Sequence, residues 1–193
     1  MSWKRFHFTR DLVAAAVACC LAVAPSLETG AQTARKPETP FEIRACFLIN
    51  FALYTEWPKD AFADTNSPFV FGILGKDPFG RDIEIVKDSL VRGRKLVVRH
   101  CSSLKEADGC HLLYISSSEE HRLGEILRTL ESASVLTVGE MEGFLDQGGM
   151  LNFIVKKKTR PGYGNLGYEV NQAAADKARL RINSYLLAKA GKD

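Results

Sequence analysis

The sequence predicts a mixed α/β fold: a mainly parallel sheet flanked by helices, followed by a C-terminal β-hairpin and a final helix. Three observations carry that prediction. Short apolar runs bounded by turn residues alternate with stretches whose apolar positions recur every three or four residues, the pattern of strands separated by crossover helices. Two later runs, Met150 to Val155 and Leu166 to Val170, flank a basic turn of Lys156, Lys157, Lys158, Thr159 and Arg160 before Pro161-Gly162, as in an antiparallel hairpin. The chain then closes on a stretch from Gln172 to Ala190 that reads as a helix.

Residues 32–40, with Pro37 and Pro40 among polar neighbours, read as a flexible lead-in. From Glu42 to Trp57, residues such as Ile43, Cys46, Phe47, Phe51 and Tyr54 fall at helical steps, and Pro58 stops the helix. Phe69 to Leu74, ending at Gly75, is a buried strand. Arg81 to Leu90 is helical, Lys95 to Arg99 and Cys110 to Ile115 are strands, and Glu119 to Glu131 is a helix with Leu123, Ile126, Leu127 and Leu130 on one face. Val135 to Val138 resumes the strand signal, and Gly139 to Gly149 is a loop or short helix containing Phe144.

Residues 1–31 read as an export signal. Lys4, Arg5 and Arg10 precede the thirteen-residue apolar run Leu12 to Ala24, and Thr29-Gly30-Ala31 supplies small residues before a cut near Gln32. That run is shorter than the roughly twenty residues a membrane-spanning helix needs. The expected mature chain is a single soluble domain, outside the cytoplasm, over residues 41–190. A formal net charge of +3 is too even to suggest a nucleic-acid partner. Cys46, Cys101 and Cys110 lie beyond the signal, an odd number that allows one internal bridge at most. The residues leave the pairing open. Cys101 ends one strand and Cys110 begins the next, so parallel strands would set them at opposite ends of the sheet, too far for a bridge.

Little in the chain spells catalysis. Gly75-Lys76-Asp77-Pro78-Phe79-Gly80 joins a strand to a helix where backbone N–H groups can meet phosphate, but Arg81-Asp82 stand where a P-loop needs Lys and Ser or Thr. A ligand crevice at this carboxyl end of the sheet is the milder reading, with Gly75, Asp77 and Gly80 in it. His100-Cys101 and Cys110-His111 offer metal-ligand types, yet neighbours on a strand point to opposite faces, so no metal site is expected. Ser116-Ser117-Ser118 before Glu119-Glu120 caps a helix, and no Gly-x-Ser-x-Gly occurs. Asn152 and Glu169, within the hairpin, satisfy backbone groups or orient a ligand. No catalytic residues and no cofactor are expected.

Several blocks, in order, resemble one family of exported bacterial proteins. They are Arg44-Ala45-Cys46-Phe47-Leu48-Ile49-Asn50-Phe51 through Glu56-Trp57-Pro58, Phe71 through Gly80, Gly109-Cys110-His111 through Ser116, Val135 through Gly139, Gly148 through Phe153, and Leu180-Arg181-Ile182-Asn183-Ser184. The stretch 41–190 resembles the YfiR family. The resemblance implies a periplasmic regulator, not an enzyme, that binds the periplasmic part of an inner-membrane diguanylate cyclase and holds it inactive, with membrane contact only through that partner. It implies a mixed α/β fold, a homodimer, and redox sensitivity through disulfides, for which Cys46, Cys101 and Cys110 are the candidates. Cys110 matches a family position, while Gly72 stands where its partner would be sought. Arg179 replaces the glycine usual after Ala178, which removes the helix break expected there. Trp57 and Phe79, as an aromatic surface, and Arg181 are the candidate partner-binding residues. Two rival readings are a periplasmic small-ligand sensor, with the Gly75–Gly80 loop, Asn152 and Glu169 lining its site, and an exported hydrolase.

Overall fold

Thr39 fixes where the first helix starts. Its hydroxyl accepts from the Glu42 N–H (3.0 Å), the Glu42 carboxylate accepts from the Thr39 N–H (3.3 Å), and Pro40 occupies the first helical turn. In the computed structural model, which describes residues 36–155 and 166–191, helix α1 then runs Pro40–Leu53. The expected export signal and the tip of the basic turn lie outside the described residues.

The chain continues through β1 (Thr55–Glu56), β2 (Phe69–Leu74), a 3-10 segment Gly80–Val86, β3 (Leu90–Val91), β4 (Arg94–Cys101) and β5 (Leu112–Ile115). A 3-10 segment Ser117–Arg122 leads into α2 (Leu123–Leu130), then β6 (Leu136–Gly139), β7 (Leu151–Val155) and β8 (Leu166–Val170). The C-terminal part comprises α3 (Gln172–Lys177), β9 (Arg181–Ile182) and α4 (Ser184–Lys189). The seven-stranded sheet has the order β3-β4-β2-β5-β6-β7-β8. Strands β4, β2, β5, β6 and β7 are parallel, with β3 and β8 antiparallel at the edges. The mixed, mainly parallel sheet is the one expected from the sequence.

Two apolar layers cover the sheet. On one face α1, the Gly80–Val86 segment and the C-terminal elements pack Phe51, Phe71, Phe153 and Leu186. On the other, α2 and the loop carrying Phe144 pack against Leu74, Leu113 and Ile115. Every residue of β2 is buried, which explains why it is apolar at every position but Gly72.

Three helices differ from expectation. The first ends at Leu53 rather than Trp57, because Thr55 and Glu56 pair antiparallel with Ile182 and Arg181 in a β1–β9 ribbon. The stretch 81–90 forms 3-10 turns and then β3 instead of an α-helix. The last stretch, read as one helix, is split into α3, β9 and α4. Arg179 accounts for that split: it takes φ +60°, the left-handed conformation usual for glycine, and its N–H bonds to the Asp176 carbonyl. The helix break is therefore kept despite the loss of glycine. The guanidinium pairs with Asp60 (2.9 Å), but both side chains are well exposed and the pair contributes little. Arg179→Gly should raise unfolding stability by about 0.5–1 kcal/mol in urea titrations; a loss would mean that the Asp60 contact outweighs the backbone strain.

Candidate interaction surface and buried thiol pair

At the amino ends of the parallel strands, residues from four segments converge on one aromatic cluster. The chain leaves β1 at Trp57, whose indole N–H donates to the His111 carbonyl (3.2 Å) and whose ring meets Phe69 edge-on at 5.1 Å. His111 precedes β5 and is stacked between Phe62 (4.2 Å) and Phe69 (5.2 Å). Its Nδ1 accepts from the Val70 N–H (3.0 Å), so the proton sits on Nε2, which donates to the Ala61 carbonyl (3.1 Å). Burial, then the positive charges of Arg94 and Arg99, push the imidazole below its ordinary pKa, partly opposed by the Ala61 hydrogen bond.

Arginines close the other side. Arg94 lies 3.9 Å over the Phe62 ring and its Nη1 donates to the Asp64 and Ser67 carbonyls (2.9 and 2.6 Å). Arg92 donates to the Thr55 carbonyl (3.3 Å). A cleft of about 500 Å³ opens between Trp57, Phe62, Phe69 and these guanidinium groups. Sequence reasoning found Trp57 but missed Phe62, Arg92, Arg94 and the role of His111. The available signal was Val91-Arg92-Gly93-Arg94, a glycine turn that places two cations at a hairpin tip.

Cys101 and Cys110 are both buried in the same apolar layer, close enough for each thiol to influence the other's ionisation, and the Cys101 thiol donates to the Glu106 carbonyl (3.4 Å). The expectation that parallel strands hold them apart is thus corrected. Gly72 is the reason. The Cys110 sulfur leans over Gly72, where a Cβ would lie only 2.7 Å from it, and Cys101 pairs with Leu74, two residues further along the same strand. Burial pushes Cys110 up to about 12 and also raises Cys101 and Cys46. Cys46, on α1, packs against the opposite face of the sheet and reaches neither of the other two. All three are free thiols. Timed iodoacetamide labelling with mass spectrometry should modify half-buried Cys46 first and leave Cys101 and Cys110 protected until the domain unfolds; early labelling of Cys110 would contradict the packing.

The carboxyl end of β2 is occupied by the protein itself. Gly75 takes φ +87°, and Ser118 and Glu119 sit where its side chain would be. The Lys76 N–H donates to the Ser118 hydroxyl (2.9 Å), and the Asp77 carboxylate accepts from the Phe79 and Gly80 N–H groups (2.8 and 3.2 Å). Donors expected to face a ligand are therefore already used. Asn152 is buried on β7, gripping the Met141 N–H and carbonyl (3.1 and 2.9 Å). Glu169 stands exposed on β8 opposite it in register, and β5 and β6 separate both from β2. The structure does not bring this residue set together.

Nor do the candidate docking residues form one patch. Phe79 is 3% exposed, packed edge-on against Phe41, Phe71 and Tyr114. Trp57 is half-buried and directly follows Glu56, whose register partner is the exposed Arg181. Trp57 and Arg181 thus flank the same ribbon, with Phe79 elsewhere in the core. Cys110 and His111, just ahead of β5, point to opposite faces of the sheet.

No curated protein matches the chain. Among solved structures it resembles a conserved domain protein from Vibrio cholerae O1 biovar El Tor strain N16961, with a TM-score of 0.48 and 12% identity; the match covers 79% of this chain and spans 60% of that one. A family model described as YfiR/HmsC-like matches residues 41–190, which include the aromatic cluster, the thiol pair and the β1–β9 ribbon. The chain therefore belongs to the YfiR/HmsC-like family.

Proposed function

We propose that the protein binds the periplasmic sensor region of an inner-membrane diguanylate cyclase and holds the enzyme inactive, lowering cyclic-di-GMP output. The family match over residues 41–190 carries this reading. The protein is a regulator rather than an enzyme, works as a homodimer, and contacts the membrane only through its partner. Inhibition requires that it bind the inactive cyclase conformation more tightly than the active one, since equal affinity shifts nothing.

The docking face in this proposal is the β1–β9 ribbon, with Arg181 as its exposed cation and Trp57 as its aromatic edge. Phe79, held in the core, reaches no partner from there. Biolayer interferometry of residues 32–193 against the periplasmic segment of the candidate cyclase tests the whole reading, run with and without reductant. Arg181→Glu should weaken binding at least about tenfold, because reversing a charge at an interface both removes an anchor and adds repulsion. Binding in neither condition would overturn the inhibitor assignment. Binding in oxidant alone would place a Cys101–Cys110 disulfide within the switch; equal binding in both would remove the thiols from it.

A further inference from the structure

The cleft between Trp57 and the β3–β4 turn has two properties that a packing role leaves unexplained. Arg92 and Gly93 form the two-residue turn between Val91 and Arg94, and both have positive φ, +52° and +82°. Such turns favour Asn or Gly at the first position, so an arginine there holds a strained backbone in exchange for a cation at the cleft mouth. Second, neither Arg92 nor Arg94 makes an ion pair among the described residues; each spends one nitrogen on backbone carbonyls. Two guanidinium groups with no close ion pair among the described residues thus face a wall of Trp57, Phe62 and Phe69, with Asp64, whose carboxylate feels the charge of Arg94, on the same rim.

We propose that this cleft binds a small aryl carboxylate, its ring against Trp57 and its carboxylate on the free nitrogens of Arg92 and Arg94. The volume, about 500 Å³, falls within the range of ligand sites. A planar anion suits the arrangement because guanidinium forks recognise carboxylates in a plane while the aromatic walls accept a flat ring. The site lies at the amino ends of the strands, opposite the Gly75–Gly80 loop. It does not rest on the cyclase reading, since binding is measured on this chain alone.

Isothermal titration calorimetry of the full chain with phenylacetate, cyclohexylacetate and phenylacetamide separates the ring from the charge. Phenylacetate should saturate one site per chain, with the other two at least about tenfold weaker. Arg92→Asn suits the left-handed turn, so it should melt no lower than the parent while binding phenylacetate about tenfold more weakly. Arg92→Gly, equally suited to the turn, should behave the same way. No saturable phenylacetate binding, equal binding of all three compounds, or undiminished binding by both folded variants would overturn the proposal.

Discussion

Phe144→Ala is expected to lower the unfolding free energy by about 3–5 kcal/mol, the range for a buried aromatic residue. The ring is fully buried in the layer that also holds Leu74, Leu113, Ile115 and Ile126. Glycine lies on both sides of it: a Cβ on Gly139 would come within 2.5 Å of the ring, and one on Gly149 would lie 2.7 Å from the Phe144 carbonyl. Neither glycine has a side chain to swing into the space left by the deleted ring, so the cavity stays open and the cost stays high. Gly149→Ala should be comparably damaging for the opposite reason. Its methyl group meets the Phe144 ring and backbone, and the Gly149 N–H is tied to the same carbonyl (2.9 Å). Urea titration of both variants gives the answer. A loss under about 1.5 kcal/mol for Phe144→Ala would mean that the loop collapses into the space.

The strands were legible because burial of a parallel sheet on both faces leaves a local mark: Phe69 to Leu74 is apolar at nearly every position, with Gly72 the exception. The helix ends were less legible because their causes are distant. Thr55-Glu56 leaves the helix to pair with residues 181–182, a partner more than a hundred positions away that no local periodicity encodes. Arg179 sits in an apolar-periodic stretch and breaks it through its own backbone angle, which residue type alone argues against. Gly72 shows the same limit at the site. Its lack of a side chain creates the space in which the two thiols meet, so the relevant signal was an absence on a third strand. The aromatic cluster was half legible. Trp57 stood out by type, whereas Arg92 and Arg94 are ordinary surface residues in sequence and acquire meaning only when the turn folds over Trp57 and Phe62.

Acid should destabilise the domain through His111. The neutral ring is required where it sits: Nδ1 receives the Val70 N–H, Nε2 donates to Ala61, and only one tautomer does both. Adding a proton to Nδ1 sets two donors against each other in a buried stack of Phe62 and Phe69, with Arg94 and Arg99 adding positive charge nearby. The folded-state pKa is therefore lowered, chiefly by burial, while the unfolded chain titrates near 6.5. Between those two values the unfolded state binds more protons, so stability falls as pH drops through about 6.5 and levels off below the folded-state pKa. Each tenfold separation of the two protonation constants is worth about 1.4 kcal/mol. His111→Phe keeps the ring stack, strands the Val70 N–H and the Ala61 carbonyl, and removes the titration. At pH 7.5 it should cost about 1–3 kcal/mol, the buried Val70 N–H and the half-buried Ala61 carbonyl having lost their partners. Urea unfolding of both proteins at pH 7.5 and 5.0 isolates the histidine, because every other titrating group is common to the pair. The advantage of the parent over the variant should shrink at the lower pH; an advantage independent of pH would show that His111 stays neutral or that its protonated form is equally well accommodated. Since His111 holds Ala61 to β2 and carries Trp57 on its carbonyl, the same protonation should loosen residues 57–67, seen as faster amide exchange in that segment at pH 5.0 once intrinsic rates are divided out.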